Sequence, residues 1–261
     1  MKLKLVLIAL LLANNLSHAD TTLIFKQPDD SGKEKTLTYY IKDGLLRLTE
    51  EGINKINVFD QKKDEFTSID QATGNISRIN QDLVNQHVEK LNKQRLEKLK
   101  SVETELNKEL QSMDEDKKEV AELLMNKLKY PEFYGEHTYL EAKKTTTSKN
   151  INDIECLIYN VTLHENLVRQ ICMAPVDKLK ITEQDYSTLR AFYKFNYNTQ
   201  SRMMLATGKT SFTYVDFEAK NMHGIPAEIV LFTKQGSSQD HVLYQVKNNT
   251  LDKALFEIKT P

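Results

Sequence analysis

Between Thr21 and about Asn80 the apolar residues come in short alternating clusters separated by turn-forming runs. Leu23-Ile24-Phe25, Leu37-Thr38-Tyr39-Tyr40-Ile41, Leu45-Leu46-Arg47-Leu48, Ile56-Asn57-Val58-Phe59, Phe66-Thr67-Ser68-Ile69 and Ile76-Ser77-Arg78-Ile79 carry them. Asp29-Asp30-Ser31-Gly32, Asp43-Gly44, Glu51-Gly52, Gln61-Lys62-Lys63-Asp64 and Thr73-Gly74-Asn75 lie between. Apolar clusters punctuated by Gly, Asn and Asp predict strands. Connections this short predict antiparallel pairing of neighbours as a meander.

The period changes between Gln81 and Lys129. Glycine and proline vanish, ten basic residues stand against eleven acidic ones, and Val88, Leu91, Arg95, Leu99, Val102, Leu106, Leu110 and Met113 recur mostly at intervals of three and four. This spacing predicts helix with a narrow apolar stripe. Asp114-Glu115-Asp116 interrupts the stripe, and Val120, Leu123, Leu124, Met125 and Leu128 resume it before Pro131. The expectation is a helical hairpin inserted over 81–130, its second limb folded back on the first and its charges forming a solvated face.

Strand patterns return over His137 to Thr147 and Ile154 to Met173. Thr182-Glu183-Gln184-Asp185 then announces a second helix, with a threonine able to cap the first turn, a carboxylate three residues on, and Ile181 and Tyr186 at the positions of a hydrophobic staple. It is expected to run to about Met204 with Leu189, Phe192, Tyr193 and Tyr197 facing a core. Further strands are predicted at Phe212 to Phe217, Glu228 to Thr233, Val242 to Val246 and Leu255 to Ile258, with turns at Asn221 to Gly224, Gln235 to Ser238 and Lys247 to Asn249. With no linker-like stretch, the fold class is α+β: one domain over 20–261, a large curved antiparallel sheet with a helical-hairpin insertion and one further helix.

The first residues have a different character. Met1-Lys2-Leu3-Lys4 is basic, Leu5 to Ala13 is apolar, and Asn14 to Ala19 is polar and ends in small residues at −3 and −1. That is the tripartite pattern of a secretory signal peptide, 1–19, cut after Ala19. The apolar run is under half of the ~20 residues that cross a bilayer. No cysteine follows the cut for lipid attachment. The expectation is a soluble periplasmic protein beginning at Asp20, not membrane-spanning.

Composition narrows the functional classes. The 261 residues are 39% hydrophobic and 28% charged, with 36 Lys and Arg against 37 Asp and Glu, a formal net charge of −1. A chain this balanced lacks the excess of positive charge that draws a protein to phosphate backbones, so nucleic acid is not an expected partner.

Cys156 and Cys172 are the only cysteines, and an exported chain meets an oxidising compartment. Two strand-like runs, Ile154 to Leu163 and Leu167 to Met173, flank His164-Glu165-Asn166. Pairing Leu163 with Leu167 would leave the cysteines out of line; only a loop centred on His164 sets Cys156 directly opposite Cys172, where a disulfide is feasible. The even spacing of Cys156, His164 and Cys172 also invites a metal reading. In a hairpin, however, His164 would lie roughly 26 Å from the cysteines at ~3.3 Å per residue, against the ~2.0–2.3 Å each ligand of one zinc requires.

No catalytic or cofactor motif emerges. The chain has no His-Glu-x-x-His, calcium-loop spacing or Gly-x-Ser-x-Gly elbow. Glu136-His137 is a lone adjacent pair, and Gly208-Lys209-Thr210 lacks the glycine that opens a phosphate loop, Met203 standing in its place. No cofactor, metal or enzymatic activity is expected.

Three stretches resemble an uncharacterised family of bacterial envelope proteins catalogued as domain of unknown function 4412. They are Ile41 to Arg47 followed by Phe66 to Asp70, Leu110 to Lys118, and the hairpin with Cys156 and Cys172-Met173-Ala174-Pro175. The resemblance implies a periplasmic protein with a curved half-barrel sheet similar to the lipoprotein-carrier fold, and no activity. Two roles follow as expectations. The first is a non-enzymatic binding or carrier protein holding an apolar or lipid-like ligand in the concave face. The second is an envelope structural or interaction protein that docks a partner through the helical hairpin, whose narrow stripe resembles a coiled-coil seam.

Overall fold

The computed structural model of the protein describes residues 20–29, 31–130, 140–163, 165–207, 217, 222–234 and 236–258. The expected signal peptide over 1–19, Glu136-His137, His164, Gly208-Lys209-Thr210 and most of the strand expected at Phe212 to Phe217 lie outside them.

Strands β1 (Asp20–Pro28), β2 (Glu34–Lys42), β3 (Leu45–Glu50), β4 (Lys55–Asp60), β5 (Glu65–Asp70) and β6 (Ile76–Asn80) form the expected meander. Helices α1 (Gln81–Gln111) and α2 (Glu115–Lys129) follow, then β7 (Leu140–Ile151), β8 (Ile154–Leu163) and β9 (Asn166–Ala174). A short α3 (Val176–Leu179), the long α4 (Glu183–Thr207), β10 (Ile225–Thr233), β11 (Gly236–Asn249) and a 3₁₀ turn at Lys253–Phe256 complete the chain. All eleven strands join one antiparallel sheet in the order β6-β5-β4-β3-β2-β1-β11-β10-β9-β8-β7. The first and last strands meet at its centre, and β6 and β7 are its two outer edges.

The sheet is open but strongly rolled. Phe192 of α4 lies 5.8, 5.7 and 6.2 Å from the rings of Tyr39, Phe59 and Phe66, on β2, β4 and β5. The same helix reaches the other flank, where the Tyr186 hydroxyl accepts the Gly224 N–H at 3.0 Å just before β10. On that flank Asn152, at the β7–β8 turn, donates its side-chain amide to the Leu243 carbonyl of β11 at 2.9 Å, and Lys149 of β7 meets Glu228 of β10 at 2.6 Å. Four strand steps in a flat sheet would separate β7 from β11 by about 19 Å. Part of this bend arises in β7, whose register jumps between Lys144 and Ser148 while Thr145 donates its hydroxyl to the Ile158 carbonyl at 3.0 Å.

The concave face holds the main core: Leu23, Phe25, Ile41, Leu46 and Phe59 from the first half of the sheet, Cys156, Cys172 and Leu243 from the second, and Leu189, Phe192 and Phe195 from α4. Leu140, Tyr159, Val161, Ile171, Met173 and Ile229 form a second cluster. Ile171 and Met173 alternate along β9 with Cys172 and Ala174 of the main core, so that part of the sheet is buried on both faces.

The start of α4 is the one the sequence marks. Thr182 Oγ1 accepts the Asp185 N–H at 3.1 Å, and Ile181 and Tyr186 are both buried as a staple. Three expected elements differ. Leu255 to Ile258 is not a strand; Asp252 accepts the Ala254 N–H at 2.9 Å and starts the 3₁₀ turn, which places Phe256 in the interior and offers the Leu255 carbonyl to Arg47 at 2.5 Å. Lys247 to Asn249 is not a turn, because β1 pairs with it, Asp20 opposite Asn249 and Thr22 opposite Lys247. Gly236 to Ser238, expected in a turn, likewise lie in β11 opposite Leu231 to Thr233; at these two places a strand partner overrode local turn chemistry, whereas at Leu255 the Asp252 cap overrode the apolar pattern.

Candidate functional site

The disulfide forms between Cys156 and Cys172, with Cα atoms 5.3 Å apart. The pairing is as expected, but the register is not. Leu163 pairs with Asn166, Glu165 before it has φ 67°, and a bulge between Val161 and Thr162 shifts the body of the hairpin. Cys172 therefore faces Ile158, and Cys156 bonds to it diagonally. Cys156 has no exposed surface and Cys172 only 2%, among Ile151, Leu179, Ile181 and Ile225. A bond so placed fixes strands; it is not presented to a redox partner.

The concave face that a carried ligand would occupy is filled by α4. Phe192 and Phe195 insert between β2, β4 and β5, both essentially buried. Beside α4 a shallow cleft is bounded by Tyr186, Arg190, Tyr193, Lys194 and Met222. The Arg190 guanidinium stacks over the Tyr186 ring, 5.0 Å from its centroid.

The helical hairpin presents the most open apolar surface. Asn80 caps α1 by accepting the Leu83 N–H at 2.9 Å, and Lys129 at the end of α2 reaches back to Glu103 at 2.7 Å, so the limbs are antiparallel. The sequence stripe was expected to be buried between the two limbs alone. The structure adds a second contact: Val84 is buried, Gln81 donates to Thr199 of α4 at 3.4 Å, and Arg202 of α4 hydrogen-bonds Asn85. On α2, Val120, Leu123 and Leu124 are 57, 47 and 55% exposed; Met113, in the turn between the limbs, and Leu83 and Leu96 of α1 are exposed as well. Helical spacing puts Val120, Leu123 and Leu124 on one side, away from the half-buried Ala121, Met125 and Lys129.

Among the described residues no group of three or more His, Cys, Asp or Glu could hold a metal ion, and no helix is long and apolar enough to cross a membrane. One polar assembly had no sequence signal. Asp20, Lys42 and Asp185 come together at the head of α4, although Thr21 and Asp185, which share a hydrogen bond of 2.7 Å, are 164 residues apart. In the sequence Asp185 reads only as a capping residue. No protein-family model matches the chain, and no curated protein matches it.

Proposed function

We propose that the protein is an exported, non-enzymatic component of the bacterial envelope that docks a helical partner on the outer face of α2. The observation that carries this reading is the exposure of Val120, Leu123 and Leu124 on a helix that packs on α1, which in turn contacts α4. Spaced at three and four residues, they form a short apolar stripe of the kind that seats against a partner helix. The partner that fits is an amphipathic helix with an apolar heptad stripe flanked by mixed charges, because Asp116, Lys117 and Glu119 border the seam. The leader pattern cut after Ala19, the oxidised cysteine pair and the resemblance to an envelope family support placement in the periplasm. An apolar ligand in the concave face would have to displace α4 with Phe192 and Phe195, so the binding surface is assigned to the hairpin rather than the sheet.

A photo-crosslinking amino acid at Val120 or Leu124, introduced in cells, tests this. The expected result is one discrete adduct that maps to an apolar heptad helix of a single envelope protein and disappears when Leu123 is changed to Glu. The same adducts from exposed Lys62, or a stoichiometric lipid-sized mass on the purified protein with no adduct at all, would overturn it.

A further inference from the structure

The row of facing residues that runs through the disulfide closes on itself. Lys149 of β7 stands opposite Cys156 of β8, and Glu228 of β10 stands opposite Cys172 of β9. Facing residues of an antiparallel pair point to the same side of a sheet, so the lysine and the glutamate flank the disulfide on its own face. In a flat sheet the three steps from β7 to β10 would span about 14 Å. Here the roll brings Lys149 Nζ to 2.6 Å from Glu228 Oε2. The other carboxylate oxygen, Oε1, accepts the side-chain amide of Gln239 on β11 at 2.9 Å.

The two ends of this tie are held unequally. Glu228 lies on an inner strand paired on both sides, and its side chain is 9% exposed. Lys149 lies on the outermost strand, beyond the register break between Lys144 and Ser148, in a stretch, 148–151, whose strand pairing is with β8 alone; its side chain is 46% exposed. The lysine is therefore the end that can swing out while the rest of the sheet stays folded. With the tie in place the sulfur atoms are sealed, Cys156 having no exposed surface and Cys172 only 2%.

We propose that the Lys149–Glu228 pair is a latch that shuts the disulfide off from thiols. While it is shut, exchange must wait for the domain to unfold; once it opens, exchange proceeds in the folded protein. A thiolate attacks one Sγ, the S–S bond breaks, a mixed disulfide forms and the other cysteine leaves as a thiolate. A second thiolate attacks the mixed disulfide and releases the remaining cysteine. Two thiols are oxidised to one disulfide, and the protein takes up the two electrons. A dithiol reductant supplies both thiolates.

The oxidised protein is treated with dithiothreitol at a series of urea concentrations below its unfolding midpoint, and the appearance of free thiol is timed. The wild-type rate should rise with urea as steeply as global unfolding does. Glu228→Gln keeps the shape and the Gln239 contact but loses the ion pair. Its disulfide should be reduced about tenfold faster or more without urea, by a route that hardly responds to urea because local opening exposes little surface. Lys149→Ala, at a half-exposed position of the edge strand, should behave the same way and serves alone if the glutamine variant does not fold; Lys149→Arg should keep the wild-type slope. A wild-type rate already independent of urea, or open-latch variants that retain the full slope and follow their own global stability, would overturn the proposal.

Discussion

Cys156 is bonded to Cys172 from one pleat out of register, since the residue facing Cys172 on the neighbouring strand is Ile158. The bond therefore braces the β8–β9 pair diagonally, fixing both the separation of the strands and their slide.

Replacing both cysteines by alanine, or reducing the protein, should lower its stability by about 3 kcal/mol for a closed loop of this length. Denaturant unfolding with and without reductant measures it. Thiol labelling of the unreduced, denatured protein should find no free thiol.

Asp185 predicts a pH dependence of opposite sign to that of a salt-bridged aspartate. Its carboxyl is raised in the fold, first by burial, so the native state binds more proton than the unfolded one above the ordinary aspartate value. The group therefore costs stability at neutral pH, and that cost is removed as pH falls through its elevated pKa toward 3.8. The difference in unfolding free energy between Asp185→Asn and wild type should shift in favour of the wild type as pH is lowered from 7 to about 4. A constant difference would show that Asp185 is not the group responsible.

Gly224 should tolerate no side chain. Its φ is +125°, and an added Cβ would stand 2.3 Å from the Ala174 carbonyl oxygen. Gly224→Ala must break the approach of β10 to the end of β9 and the hydrogen bond to Tyr186, with an expected cost of about 2–4 kcal/mol from backbone strain and overpacking together. Thermal unfolding of the variant reads it directly.

Much of the architecture was legible before any coordinates. Strands β1 to β6 announce themselves by short apolar clusters with Asp-Gly and Gly-Asn turns, and α4 by its Thr182 cap and Ile181–Tyr186 staple, because each signal is local. The hairpin register was misjudged because a bulge at Val161 and Thr162 leaves no compositional trace. Asn248 and Asn249 look like a turn until β1 is known to lie beside them. The Asp20–Lys42–Asp185 junction was invisible for the same reason: nothing in the sequence says that the first strand ends against the first turn of a helix 164 residues away.

The hairpin does more than interrupt the sheet. Since β6 and β7 are opposite edges of eleven strands, the chain must travel from one to the other through α1 and α2. Along the sheet that path covers ten strand steps, about 48 Å if flat and less in the rolled form. Replacing 82–139 by two residues should therefore strain the fold, since three Cα–Cα steps reach only about 11 Å, whereas a flexible link of about thirty should restore the β signal and the disulfide. Both versions should lose helical circular dichroism, and the longer one should melt only modestly below wild type, owing to the lost hydrogen bonds of α1 with α4. Equal stability at both linker lengths would place the two edges close together.

The central pairing of β1 with β11 also fixes how the molecule answers a mechanical load. Asp20 at the start of β1 faces Asn249 at the end of β11, so tension between the chain ends enters the pair at a single corner. After the 3₁₀ turn releases its hold on Arg47, the inter-strand bonds would be loaded one at a time and open like a zipper, rather than all together in shear. The sheet would part along its midline into a 20–80 half and a 140–249 half, with the disulfide still closed inside the second. An unfoldase pulling on either end loads this seam first.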